Sequence, residues 1–337
     1  MLGALTHQVL HRWMLRVPSV NMAVMPLVTP TDLPLVFAFS LSRWLEQIRD
    51  LRVFQQHVVQ HQWASLAEVY PRSLIWMYAY LLFTWGRYCR CLPEILQQPD
   101  RCLPAEMFIR YVCEIDRYVD SFDSRALWRV HARQFKARPQ VRSVATELCA
   151  GVQQVGLGAS VCRGMINLIL TYRREALMTM QRSADASGDN LPQVIRDKEQ
   201  TAGNLWRVWS RILGYLYGTS ADTAERAAQV FFNFGMAVQI IDDLSDAPAD
   251  HAVRAENLFL AVAQTYHADW ERLQRHFREQ SAPFLDWPWA RRYTPTTYQA
   301  TLELYQGYFD RLRCDTYNAA ATQRLCIMLD RMRTLGG

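Results

Sequence analysis

An all-α protein is predicted by three features of this 337-residue chain. Glycine is scarce, at 14 residues, while the good helix formers Leu, Ala, Arg, Gln and Met are abundant. Segments with a helical apolar period run between proline and glycine breaks, and alternating strand-like runs bounded by turn residues are missing. Half of the residues are apolar, enough for a substantial buried core in a chain of this length.

The expected elements follow from the breaks. Residues 1–50 read as an N-terminal extension packing on the bundle. It holds a short basic amphipathic segment from Leu5 to Leu15, a proline-punctuated stretch, and a helix through Trp44 and Leu51. The extension either caps the core helices or touches a membrane surface; packing on the main domain is the commoner fate of such helices. Residues 51–337 read as one helical domain. Its first helix, Gln62 to Cys91, carries Pro71 and stops before Pro93, and its second, Pro104 to Phe122, opens on a proline. Val141 to Gln154 follows Pro139, and Ser160 to Ser183 stops before Gly188. Leu191 to Tyr217 ends at Gly218, and Ala221 to Ala247 ends at Pro248. Ala255 to Glu279 stops before Pro283, and Thr296 to Leu335 comes last. No solenoid-type repeat and no low-complexity linker divides the chain.

Composition excludes several classes. The net charge of +5 is modest and the arginines are dispersed, so nucleic acid is not the expected partner. A polyanionic small molecule suits the basic surplus better. Met22 to Phe39 is apolar, but Pro26, Pro30, Asp32 and Pro34 interrupt it, and a spanning helix needs about 20 consecutive apolar residues. No signal-peptide pattern is present. The eight cysteines show no CxxC pair, which suggests reduced thiols in a cytoplasmic protein. His57 and His61 lie one turn apart but lack a third ligand, and no phosphate loop, nucleophile elbow or dinucleotide fingerprint occurs.

The chemistry is carried by two acidic stripes. Asp242, Asp243 and Asp246 end an otherwise apolar run through Phe231, Phe232, Phe234, Met236, Val238, Ile240 and Ile241. Residues three and four apart share a helix face, so these carboxylates converge, and their repulsion calls for a cation. Upstream, Asp116, Asp120 and Asp123 follow the i, i+4, i+7 spacing of one face. Facing each other, the stripes would suit magnesium, which binds a few carboxylates together with substrate phosphates.

These motifs resemble those of the class I isoprenoid synthases, the superfamily of prenyl diphosphate synthases, squalene and phytoene synthases, and terpene cyclases. Gln239-Ile-Ile-Asp242-Asp243-Leu-Ser-Asp246, preceded by Gly235, is similar to the QxxDDxxD element of prenyl diphosphate synthases. Asp116-Arg-Tyr-Val-Asp120 is similar to the DxxxD of squalene and phytoene synthases. The resemblance implies a single large antiparallel helical bundle and a homodimer. It also implies three Mg2+ ions bridging both motifs to a prenyl diphosphate. Asp116, Asp120, Asp242 and Asp246 would then be the catalytic metal ligands, with Asp123 and Asp243 at or just behind the ions and Gln239 facing the same cavity.

Further site residues are suggested more loosely. Lys198 and Thr201 precede the second acidic helix as the family's diphosphate-holding lysine and threonine do, although here they stand three apart instead of adjacent. Arg173 and Arg174 are further diphosphate candidates, since guanidinium suits bidentate phosphate contacts. Arg292-Tyr293 resembles the Arg-Tyr pair of many terpene cyclases. Arg117 and Arg125 stay unassigned as ordinary helix ion pairs. Among 11 tryptophans, Trp206 and Trp209, with Phe232, are candidates for a pocket wall that stabilises a carbocation and excludes water.

Two departures narrow the reaction. The lysine-rich tail of chain-elongating synthases is missing after Asp246, and so is the NxxxSxxxE motif of ordinary terpene cyclases. The expected activity is a terpene synthase. The alternative is a prenyltransferase that joins an allylic diphosphate to a second isoprenoid or other acceptor, and a non-catalytic helical scaffold is the reading from another class.

Overall fold

The computed structural model describes residues 72–109, 112, 139–154, 156–185, 190–253, 255–279 and 284–335. Helix accounts for 87% of the interpretable structure and strand for none, so the all-α expectation holds there. The N-terminal extension, His57, His61 and the whole first acidic stripe lie outside the described residues.

In chain order the helices are α1 (Arg72–Cys89), α2 (Leu92–Gln97), α3 (Pro139–Gln154), α4 (Ala159–Asp185) and α5 (Leu191–Lys198). After a π-helical segment (Glu199–Gly203) come α6 (Asn204–Tyr217), α7 (Ala221–Ser245), α8 (Ala247–Val253), α9 (Leu258–Gln264) and α10 (His267–Glu279). The last three are α11 (Trp287–Tyr293), α12 (Pro295–Arg313) and α13 (Ala319–Leu335). Residues 103–109 are also helical. Two expected helices are each split. Ala255 to Glu279 becomes α9 and α10, parted at Thr265 and Tyr266, and Thr296 to Leu335 becomes α12 and α13, parted at Cys314–Asn318.

Helix α7 lies at the centre. From Val230 to Ser245 every side chain is buried, as expected of a helix apolar on all faces. Its start is punctuated by Gly218, which ends α6 in the left-handed region at φ 62°, and by Ser220, whose hydroxyl accepts from the Thr223 N–H. One apolar cluster joins α7 to residues from Tyr80 on α1 to Met332 on α13.

The α6–α7 crossing depends on two glycines. A Cβ on Gly203 would sit 2.6 Å from the Phe232 ring, and one on Gly235 would overlap the Trp206 indole. Absence of side chains there lets the π segment lie directly on α7. Trp206 then packs edge-on against Trp209 and Phe234, with centroid separations of 5.7 and 5.9 Å.

Several helix ends are tied by long-range polar contacts. Asp269 on α10 accepts from the N–H groups of Thr296 and Thr297 at 2.9 and 2.8 Å, capping α12 from another helix. Asn318 donates to the Arg87 carbonyl at 2.7 Å, closing the C-terminus of α1.

Candidate functional site

The last two turns of α7 carry Gln239, Asp242, Asp243 and Asp246, all at 7% exposure or less. The i, i+3, i+4, i+7 spacing places them on one flank of the helix. Helix α5 brings Lys198 to the same spot, and the α8–α9 connection brings Asn257.

Asp243 is the hub. Its Oδ1 accepts from Gln239 Nε2 at 2.6 Å and from Lys198 Nζ at 3.1 Å, and its Oδ2 accepts from the Leu258 N–H at 2.7 Å. That N–H belongs to the first turn of α9, where the helix presents unpaired donors. Asn257 caps the same helix through the Leu260 N–H at 2.9 Å, and its amide donates both to the Asp243 carbonyl at 2.6 Å and to Asp250 at 2.8 Å. A buried carboxylate thus meets one ammonium, one side-chain amide and one backbone donor, the full satisfaction that burial demands.

Lys198 is itself 4% exposed. Burial pushes its pKa down, but the nearby charges of Asp243, Glu256 and Asp250 outweigh burial and hold it above the ordinary lysine value. Lys198, expected on a diphosphate, forms an internal ion pair with Asp243 in this structure. Asp243, expected at or just behind the metal, has both oxygens engaged by protein donors.

Asp242 is different. Among the described residues no side chain donates to it. Burial first, then the charges of Asp246 and Asp243, drive its carboxyl well above the usual range, with Lys198 offsetting only part. Asp250 is raised to about 6, by burial first and Asp243 second. Four carboxyl groups, Asp242, Asp243, Asp250 and Glu256, thus interact with one lysine, and Asp246 adds its charge beside Asp242. No group of three His, Cys, Asp or Glu side chains among the described residues is arranged to hold a metal ion by itself.

The other anticipated residues are dispersed. The Thr201 hydroxyl turns back to the Asp197 carbonyl at 2.9 Å, and its own carbonyl accepts from Tyr172 at 3.2 Å. Arg173 and Arg174 belong to α4, where Arg174 is exposed. Arg292 and Tyr293 end α11 on the surface, the guanidinium 5.2 Å from the ring and Tyr293 44% exposed. Trp206 and Trp209 are sealed in the aromatic core, whereas Phe232 lines a cleft. Asp116, Asp120 and Asp123 lie outside the described residues, as do Arg117 and Arg125.

Asn257, Asp250 and the Leu258 N–H were missed by sequence reasoning. A signal existed for the first, since Asn before Leu-Phe-Leu-Ala is a helix N-cap pattern. Compared with known protein families, curated proteins and solved structures, the chain matches none. No described helix is long and apolar enough to cross a membrane.

Proposed function

We propose that this chain is a magnesium-dependent terpene synthase of the class I isoprenoid type, in which an all-α bundle ionises a prenyl diphosphate and cyclises or rearranges the carbocation. The observation that carries the reading is the buried acidic flank of α7, with Asp242 and Asp246 beside the fully engaged Asp243.

The donor set fits the ion. Magnesium takes oxygen ligands and is usually held by one or two carboxylates plus waters and substrate phosphates, so Asp242 and Asp246 suffice on this side. The upward push on the Asp242 carboxyl marks a place where a cation would relieve repulsion. By the resemblance, Asp116 and Asp120 would hold the ions from the facing helix. When bound, the metal makes diphosphate a competent leaving group.

The chain's own residues would do the rest. Gln239, Lys198 and the Leu258 N–H hold Asp243 in place, which fixes the turn bearing Asp242 and Asp246. The aromatic packing of Trp206, Trp209, Phe231 and Phe234 would keep water from the core next to the acidic turns, as a carbocation requires. A prenyltransferase is favoured only by the QxxDDxxD pattern.

Incubation of the purified chain with geranyl, farnesyl and geranylgeranyl diphosphates and Mg2+, with and without isopentenyl diphosphate, decides between them. The proposal expects a hydrocarbon or alcohol product without isopentenyl diphosphate, lost on chelation. Turnover only in the presence of isopentenyl diphosphate or another acceptor would assign the prenyltransferase instead. No turnover under any condition would leave a helical scaffold.

A further inference from the structure

A cleft of ≈ 570 Å3 lies beside the π segment, between α4 and α6, with Phe232 of α7 contributing to its wall. Its volume falls in the usual range for small-molecule sites, about 300 to 1,000 Å3. Glu175 of α4 and Glu199 of the π segment put two carboxylates into it, and α6 supplies Asn204, Arg207 and Arg211. A π-helical turn is a frequent companion of ligand sites.

The charges in this cleft are incompletely matched. Arg211 is engaged by Glu225, with both Nε and Nη2 on one oxygen at 3.0 and 2.7 Å. Arg207 forms no ion pair among the described residues. Its guanidinium lies 4.2 Å from the Phe232 centroid, it donates only to the neutral amide of Gln229 at 3.1 Å, and its Nε has no hydrogen-bond partner. Burial, followed by the charge of Arg211, pushes the Arg207 pKa down, with the charges of Glu225 and Glu199 offsetting only part. Glu199 is steadied by the Tyr308 hydroxyl at 2.8 Å. With Arg211 neutralised by Glu225, one cation and two carboxylates remain, a local charge of −1.

We propose that this cleft binds a basic amino-acid zwitterion, its carboxylate on Arg207 and its cationic groups on Glu199 and Glu175. Such a ligand carries a net charge of +1 and reverses each local charge in turn. A simple anion would be repelled by the two glutamates, and a simple cation would leave Arg207 unanswered. The inference is independent of the acidic flank of α7.

Isothermal titration of the full chain with L-arginine tests it, with agmatine as the probe lacking a carboxylate and inorganic phosphate as the anion-only probe. L-Arginine should bind saturably, and agmatine and phosphate each about tenfold or more weakly, the size of one charge-assisted hydrogen bond. Arg207→Gln should erase the preference for arginine over agmatine, and Glu199→Gln should weaken both about tenfold. Glu175→Gln, an exposed position, gives the same test if Glu199→Gln fails to fold. Absence of saturable arginine binding, equal affinity for arginine and agmatine, or indifference to the Arg207 and glutamate substitutions would overturn the proposal.

Discussion

Lys198 and Asp243, 45 positions apart in the chain, meet at 3.1 Å with both side chains at 5% exposure or less. Their ion pair fastens the end of α5 to the last turns of α7, and through Leu258 to the start of α9. Removing one partner strands a buried charge, at a cost of about 3–5 kcal/mol. Lys198→Met should lower stability by that amount in urea denaturation. Lys198→Met combined with Asp243→Leu should recover much of the loss, as a double-mutant cycle would show. Equal losses that simply add would mean the two residues do not interact.

Asp242 and Asp243 are adjacent in sequence but should respond in opposite ways. Asp242→Asn removes a strained, disfavoured charge, so stability should hold or rise while turnover falls by orders of magnitude. Asp243→Asn weakens the contact with Lys198 and should destabilise the fold, by a few kcal/mol. Thermal melts and product assays on both variants separate the two roles.

Gly235→Ala should be costly despite adding only a methyl group. The new Cβ would overlap the Trp206 indole and approach the Ala202 carbonyl oxygen at 3.2 Å, so the π segment must shift off α7. Overpacking of this kind costs about 1–3 kcal/mol. Gly307→Ala is the control, since nothing lies near its Cβ position.

Asp250 predicts a pH dependence. Its folded pKa, about 6, lies above the unfolded value, so the folded state binds the extra proton between them. Stability should therefore be highest below about pH 4 as far as this group is concerned and should fall as pH rises to 6, by at most about 3 kcal/mol. Asp250→Asn, which can still accept from the Asn257 amide, should flatten that slope. An unchanged slope in stability measured from pH 4 to 7 would contradict the assignment.

Much of the candidate site could be read from local spacing. Gln239, Asp242, Asp243 and Asp246 share a flank because of helix periodicity alone, and the apolar residues before them announced a buried helix. The caps obey the same local logic, as Ser220 and Asp286 each sit three residues before the N–H they accept from. The breaks in the last two predicted helices were not legible. Neither has a proline or glycine at the break; the second is set by side chains that bind elsewhere, Asp315 to the Tyr88 hydroxyl at 3.0 Å and Asn318 to the end of α1.

The sequence by itself determined the helical class, the central apolar helix and the clustering of its carboxylates, because these depend on contacts within a few turns of one helix. Only the tertiary structure decided which carboxylate is neutralised from within. Lys198 reaches Asp243 because Gly203 and Gly235 let two helices touch, and Leu258 offers its N–H because Asn257 starts a helix beside them. Those partners lie 15 to 45 residues away along the chain, where no local pattern specifies which of two neighbouring aspartates they will meet.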